Sequence, residues 1–425
     1  MQYTRLAVAA CTAVALTCSA PTGRAPEVGS VTDVSAATSV GAAPMVALSS
    51  HGDRAIAWVS AADSGADGRL YVSVNGAAPV GIADPLASVE MHGEAPPKVA
   101  FAPDGSLYAV YLLGRDIGKR FPVSALRVVH SRDNGRTWSM PVTVTDDTVA
   151  FGSHNFHALT TAPDGTVYVS WLDGRMGKSA AYVTYSRDGG ATWAQNVRMS
   201  VDEACPCCRT SLAAGPGGTV YAAWRTVLAG NIRDVVVARS SDHGVTWTAP
   251  ARVHADDWEI EGCPHAGPSV QLDAAGRLHV LWWTGKPGGA GVYYAVSSDS
   301  GATFSNPVTV SRQTTPVPSH VQLALTDSST VVAAWDELKG AMPIVYVRTQ
   351  SRAGRLGPTV ALTDTTHASQ FPVIGIHADT AYVAWSSTTV APPSHEKMDM
   401  KEAKVTLQPV GATRVLMRTV ALRSG

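Results

Sequence analysis

Three cysteines fall within four positions at Cys205-Pro206-Cys207-Cys208, and Cys263 with His265 follows in Gly-Cys-Pro-His, in a chain with six cysteines in all. Thiolates and imidazoles are the donors that borderline and soft transition metals take, so a clustered set of them is a candidate metal site. Neighbouring Cys207 and Cys208 rarely bond to each other, because the linking geometry is strained. Two disulfides, one tying the Cys205 loop to Cys263, would satisfy the same even count in an oxidising compartment. Spacing alone leaves both outcomes open, and the choice depends on where the fold puts the loops.

The elements that carry those loops are short strands. Gly (38) and Pro (26) are abundant among 425 residues and no long helix-period stretch appears, a profile of many strands joined by tight turns. One unit recurs: an apolar strand, a turn, and a strand ending in an aromatic anchor. The anchors are Trp58, Tyr111, Trp171, Trp224, Trp282, Trp335 and Trp385. Their spacing of about 50–60 residues suits four-stranded propeller blades, seven by this count. The last unit has room for one further clear strand, so residues before Met45 are expected to complete its blade and close the ring.

Four near-copies, SRDNGRTW (131–138), SRDGGATW (186–193), SSDHGVTW (240–247) and SSDSGATF (297–304), follow alternating apolar runs. Asp can bind turn amides, Gly can take positive φ, and the aromatic packs between strands. These boxes resemble the Asp-box (BNR) repeat of sialidase-like β-propellers, over roughly residues 41–425. The resemblance implies an all-β propeller with structural boxes on the face away from the ligand, so Asp133, Asp188, Asp242 and Asp299 are assigned no chemistry. Six blades, the number in sialidases, is the alternative to seven.

In such a propeller the loops entering the first strands share the ligand face. Measured back from each anchor, one register carries His92 (19 before Tyr111), His154 and His157 (17 and 14 before Trp171), and Cys205, Cys207 and Cys208 (19, 17 and 16 before Trp224). It continues with Cys263 and His265 (19 and 17 before Trp282), His320 (15 before Trp335) and His367 (18 before Trp385). Equivalent positions converge on the propeller axis, so a subset of these is expected to bind a transition metal, copper favoured, at the channel mouth. A long loop in the last unit adds His395, Met398 and Met400 as weaker donors, since thioethers with imidazole suit Cu(I). The competing role for the histidines is hydrogen bonding at exposed strand ends.

The family resemblance also implies exo-sialidase-type glycoside hydrolysis. Arg115, Arg175 and Arg225 follow second strands and could fork a substrate carboxylate, with Asp116, Asp173 and Glu337 as acids. The Arg-Ile-Pro motif usual in sialidases is absent, and no Tyr with a matched Glu is evident, so catalytic residues do not transfer by motif. A binding scaffold for a protein or glycan is the third class. Partners are accordingly a metal donor or acceptor protein, or a glycan. With net charge −1 and 16% charged residues, nothing argues for nucleic acid.

Residues 1–18 carry Arg5 and an apolar run too short to span a bilayer but fitting a secretory signal, so export to the periplasm or cell surface is expected. Cys18 loosely resembles a lipoprotein cleavage site, against which the Thr just before it counts; a lipid anchor there would be the one membrane attachment. Residues 19–40, rich in Ser, Thr, Ala and Pro, are expected to be a leader or tether.

Overall fold

The computed structural model describes residues 25–60, 68–118, 123–391 and 407–422. They form seven antiparallel sheets, each built mainly of four consecutive strands, with one short 3₁₀ turn at Ala229–Asn231. The sheets are the blades of an all-β propeller, and seven rather than six is the number.

Blade I holds Ala42–Leu48, Arg54–Ser60, Arg69–Val74 and Val80–Ile82; blade II holds Lys98–Phe101, Leu107–Arg115, Val123–Ser131 and Val142–Thr143. Blades III to VI start at His154–Thr161, Ser211–Ala214, Ser269–Leu272 and Gln322–Leu325. Blade VII contains Ala368–His377, Thr380–Val390 and Pro409–Ala421. Its outer edge comes from the other end of the chain: Glu27–Val28 and Thr32–Asp33 both pair with Pro409–Ala421. The Arg414 guanidinium donates to Asp33 Oδ2 and to the carbonyls of Ser35, Thr38 and Ser39, clamping this closure. Part of the stretch expected as a tether therefore belongs to the propeller, because the edge of the third strand needs partners for its amides and carbonyls. The leader 1–18 lies outside the described residues.

All seven anchors are at most 1% exposed. Four of them stack on a tyrosine directly opposite on the third strand: Trp58 on Tyr71, Trp171 on Tyr182, Trp282 on Tyr293 and Trp335 on Tyr346, with centroids 5.7–6.2 Å apart. Such cross-strand aromatic pairs fasten the middle of each blade while the indoles fill the space between blades.

The Asp boxes turn as their residues require. In each, the Ser hydroxyl donates to the Asp, and the Asp accepts the amide and hydroxyl of the Thr four residues on; for Asp188 these distances are 2.8, 2.9 and 2.5 Å. The Thr bonds hold all four Asp carboxyls near pKa 2. Two successive left-handed residues make the turn, His243 (φ 62) and Gly244 (φ 89) in blade IV, a conformation for which glycine carries no steric cost. No box carboxylate faces the channel mouth.

The first strands of six blades line an axial cavity of about 450 Å³ that ends at the box face, around Phe101, Thr161, Asp273 and Asp327. The opposite end, where the chain enters these strands, carries the residues singled out for chemistry.

Candidate functional site: a thiol cluster beside a buried charge network

The cysteine loop is held by its backbone. Glu203–Ala204 pairs with Thr226–Val227, the Cys205 amide donates to the Arg225 carbonyl at 2.8 Å, and the Thr210 amide to the Phe156 carbonyl at 3.0 Å. Between these points Cys208 N reaches back to Cys205 O at 3.4 Å, a tight turn over Pro206 that brings three side chains to one side. Cys205, Cys207 and Cys208 are buried against Phe156 and Val227. All four described cysteines are thiols.

Their sulfurs form a triangle of 3.6 Å (Cys205–Cys207), 3.6 Å (Cys205–Cys208) and 3.9 Å (Cys207–Cys208). Thiolates on one tetrahedral ion at 2.3 Å stand about 3.8 Å apart, so this triangle has the size of a metal-thiolate face. Beside it, Cys207, Cys263 and His265 form a second group of donors mutually within 4.8 Å. Two contacts bring the Cys263 loop of blade V against blade IV: Arg225 donates to the Ala266 carbonyl, and a side chain on Gly267 would strike the Arg209 backbone.

The surroundings are cationic. Arg233 Nη1 lies 3.1 Å from Cys205 Sγ. Hydrogen bonds from Cys207 and Cys208, with help from Arg233 and Arg225, hold the Cys205 thiol well below its ordinary range. Cys207 is pushed up chiefly by its bond to Cys205, and Cys208 chiefly by burial. Cys208 donates to Cys205, and Cys207 lies within hydrogen-bonding reach of both.

A second cluster closes the channel mouth. His320 sits between two carboxylates, Nδ1 at 2.6 Å from Asp336 Oδ2 and Nε2 at 2.7 Å from Glu94 Oε1. Burial opposes a charge on this ring, but Asp336 and Glu94 outweigh it and raise the pKa to about 10. Asp336 is fixed by the amides of His320 (2.7 Å) and Phe371 (2.9 Å). Arg209, next in sequence to Cys208, is buried beside Glu94 and Asp336 and donates to the Val321 carbonyl at 2.8 Å. Lys98 is buried too, its pKa driven well below normal by burial and then by Arg209. His157 is held neutral, near pKa 3, by burial and by Lys98, and among the described residues neither ring nitrogen finds a hydrogen bond of good geometry.

The expected ring of donors therefore divides. Cys205, Cys207, Cys208, Cys263 and His265 come together across blades IV and V. His320 and His157 join the charge network instead, and His92 stands edge-on to Phe156 at 6.0 Å, with no hydrogen-bond partner at Nδ1 among the described residues. His154 is held by Asp147 (2.9 Å) and the Ser124 carbonyl, and His367 is exposed beside Thr366, so neither faces the cluster. His395, Met398 and Met400 lie outside the described residues.

Most of the six glycosidase candidates are structurally occupied. Arg225 is fully buried and donates to three carbonyls, of Arg233, Ala266 and Trp283. Arg175 is bound by Asp173, Asp146 and Asn196, while Asp173 also takes the Trp171 indole N–H. Glu337 accepts from Ser311 and Trp335. Arg115, over the Phe151 ring at 4.0 Å, and Asp116 are exposed. A carboxylate-gripping arginine triad is not assembled from these three residues.

Glu94, Lys98, Arg209, Asp336 and Arg233 escaped the sequence reading. Only faint signals exist: a lysine opening an otherwise apolar strand, and an acid directly after the Trp335 anchor.

Comparison with known proteins adds one family match: a BNR repeat-like domain over residues 78–258. The match spans blades II to IV, and it agrees with the Asp boxes. This stretch is BNR-repeat-like, within a seven-bladed β-propeller. A sequence search finds no match among curated proteins. In fold the propeller is similar to a protein of unknown function from Dyadobacter fermentans DSM 18053 (17% identity, 77% of this chain and 94% of that one, TM-score 0.53). It is also similar to an ulvan lyase of polysaccharide lyase family 25 bound to a GlcA(1-4)Rha3S saccharide (14% identity, 82% and 92% covered, TM-score 0.55). The Hadza microbial sialidase Hz136 is 16% identical over 85% of this chain and 74% of its own, with a TM-score of 0.48. At these identities the likeness is one of fold.

Proposed function

We propose that this propeller binds a soft transition-metal ion, copper(I) foremost, through Cys205, Cys207 and Cys208. The observation that carries the reading is the size of the sulfur triangle. The circle through its corners has a radius of about 2.1 Å, within 0.2 Å of a metal–thiolate bond, so the three sulfurs would hold one ion at bonding distance. In this structure the three sulfurs are thiols rather than a disulfide, and one ion would use all of them. Three thiolates on a monovalent ion leave a net charge of −2, which Arg233, Arg225 and Arg209 offset at close range. Thiolate-only coordination favours copper(I) over harder ions. The test is metal content after anaerobic loading with copper(I) or zinc(II) and removal of excess. About one ion per chain in wild type, lost in C205S and C208S, supports the reading; wild type that retains no metal sinks it.

A second reading, action on a glycan, is supported by a fold neighbour: the ulvan lyase was solved bound to a GlcA(1-4)Rha3S saccharide. On this chain such an activity would use the Glu94, His320, Asp336 and Arg209 network at the channel mouth rather than Arg175 and Arg225, which are already committed. Incubation with acidic polysaccharides and a fluorogenic sialoside decides it. New reducing ends, unsaturated uronates or released fluorophore that disappear in E94Q would establish this reading, and their absence would remove it.

A further inference from the structure

The five donors do not make one set. They group as two triads sharing one member: Cys205, Cys207 and Cys208, all buried, and Cys207, Cys263 and His265, in which Cys263 is exposed and His265 half-buried. Each triad lies within 4.8 Å, so an ion held by one is a single short step from the other. The outer donors sit on a separate loop of the neighbouring blade, whereas the inner ones ride one turn fixed to the blade IV sheet. Solvent reaches the outer triad and not the inner sulfurs of Cys205 and Cys208, which are 0% exposed.

From this overlap we propose that Cys263 and His265 are an entry station, and that Cys207 carries the ion from them to the inner triad by ligand exchange. The inference rests on the metal reading above and adds the route by which the ion arrives. The ion first binds Cys207, Cys263 and His265. It keeps its bond to Cys207 Sγ throughout, bonds to Cys205 and Cys208 Sγ form, and those to Cys263 Sγ and the imidazole break. The thiol protons of Cys207 and Cys263 leave to solvent when the ion first binds. Any proton on Cys205 or Cys208 Sγ passes to Cys263 Sγ or the imidazole as these are released, so no electron is transferred and no co-reactant is needed. Cys205 and Cys208 are buried, with Phe156 and Val227 packed against the trio. The exchange brings the ion to them from donors that solvent reaches, so the outer donors govern rate and the inner ones affinity.

The test separates rate from equilibrium. Reduced full-length protein is mixed anaerobically with the copper(I)–bicinchoninate complex, and loss of chelate colour gives both the time course and the final partition. The variants are C263S and H265N. Asparagine is chosen because His265 has φ 47 and asparagine tolerates this conformation well. The expected result is at least tenfold slower transfer in either variant, with the final partition within threefold of wild type, while C205S loses the partition itself. Two results overturn the proposal: transfer at the wild-type rate in C263S and H265N, or a final partition reduced as severely as in C205S, which would make the outer residues permanent ligands of one larger site. Wild type that extracts no copper(I) removes the metal reading and the route with it. Wild-type-like thermal unfolding of the apo variants shows that the changes in rate do not come from misfolding.

Discussion

Replacing His320 by glutamine gives the sharpest test of the charge network, because its effect has a defined pH window. The imidazole has an ordinary pKa of 6.5 and one of about 10 in the folded chain, held there by Asp336 and Glu94. A raised pKa means that the folded state binds the proton more tightly. Its stabilisation is therefore complete below about pH 6.5 and disappears as pH rises through about 10. The full contribution is about 5 kcal/mol, most of which remains at pH 7 and only a minor part at pH 9. Wild type should thus lose about 2–3 kcal/mol more than H320Q between these two pH values. Cysteines and tyrosines titrate over the same range in both proteins, so the difference between them isolates the imidazole. The assay is urea unfolding at pH 7, 8 and 9 under reductant, with the slope of stability against pH compared between the two. Parallel slopes would refute the reasoning, since they would mean that the folded chain does not hold a proton on His320 at neutral pH.

Trp335→Ala, which empties a fully buried site between blades, should cost about 3–5 kcal/mol, read by denaturant midpoint. Gly244→Ala places a Cβ on a left-handed turn residue and should cost about 1–2 kcal/mol in the same assay. Arg225→Met leaves the carbonyls of Arg233, Ala266 and Trp283 without their donor; it should lower stability and copper(I) retention together, because the same guanidinium joins the Cys263 loop to blade IV. C208S, by contrast, should abolish copper(I) retention while shifting the apo melting temperature less than Arg225→Met, since the serine hydroxyl is still a hydrogen-bond donor in place of the thiol.

The repeat made the architecture readable from sequence. Each blade buries one large aromatic at one position, and a pattern dictated by packing recurs wherever the packing does; the closing strands at Glu27–Asp33 followed from a blade one strand short. Convergence of Cys263 and His265 on Cys207 was legible for the same reason, because equivalent loops of adjacent blades meet. The histidine register misled where the backbone departs from the repeat. Phe156 and Phe371 take φ of 58 and 57 at bulges in the first strands of blades III and VII. A bulge changes which way neighbouring side chains point, and His154 and His157, on opposite sides of one, reach Asp147 and the Lys98 environment respectively. The Glu94–His320–Asp336 relay was invisible because its members come from blades II and VI, 226 residues apart at the Glu94 contact, and no local pattern links them.

The Arg414 clamp and the two N-terminal strands on Pro409–Ala421 have a temporal consequence. A ribosome delivers residues 27–33 early and their partners nearly last, so until the final strand is made the finished sheets form an open arc with bare flanks. Until the two ends meet, the groups at the channel mouth that face one another across the gap, Glu94 in blade II and His320 beside blade VI among them, lack a fixed separation. Ring closure is thus the event that assembles the mouth, and a chain nicked or truncated within residues 27–33 should keep its individual sheets yet lose that assembly.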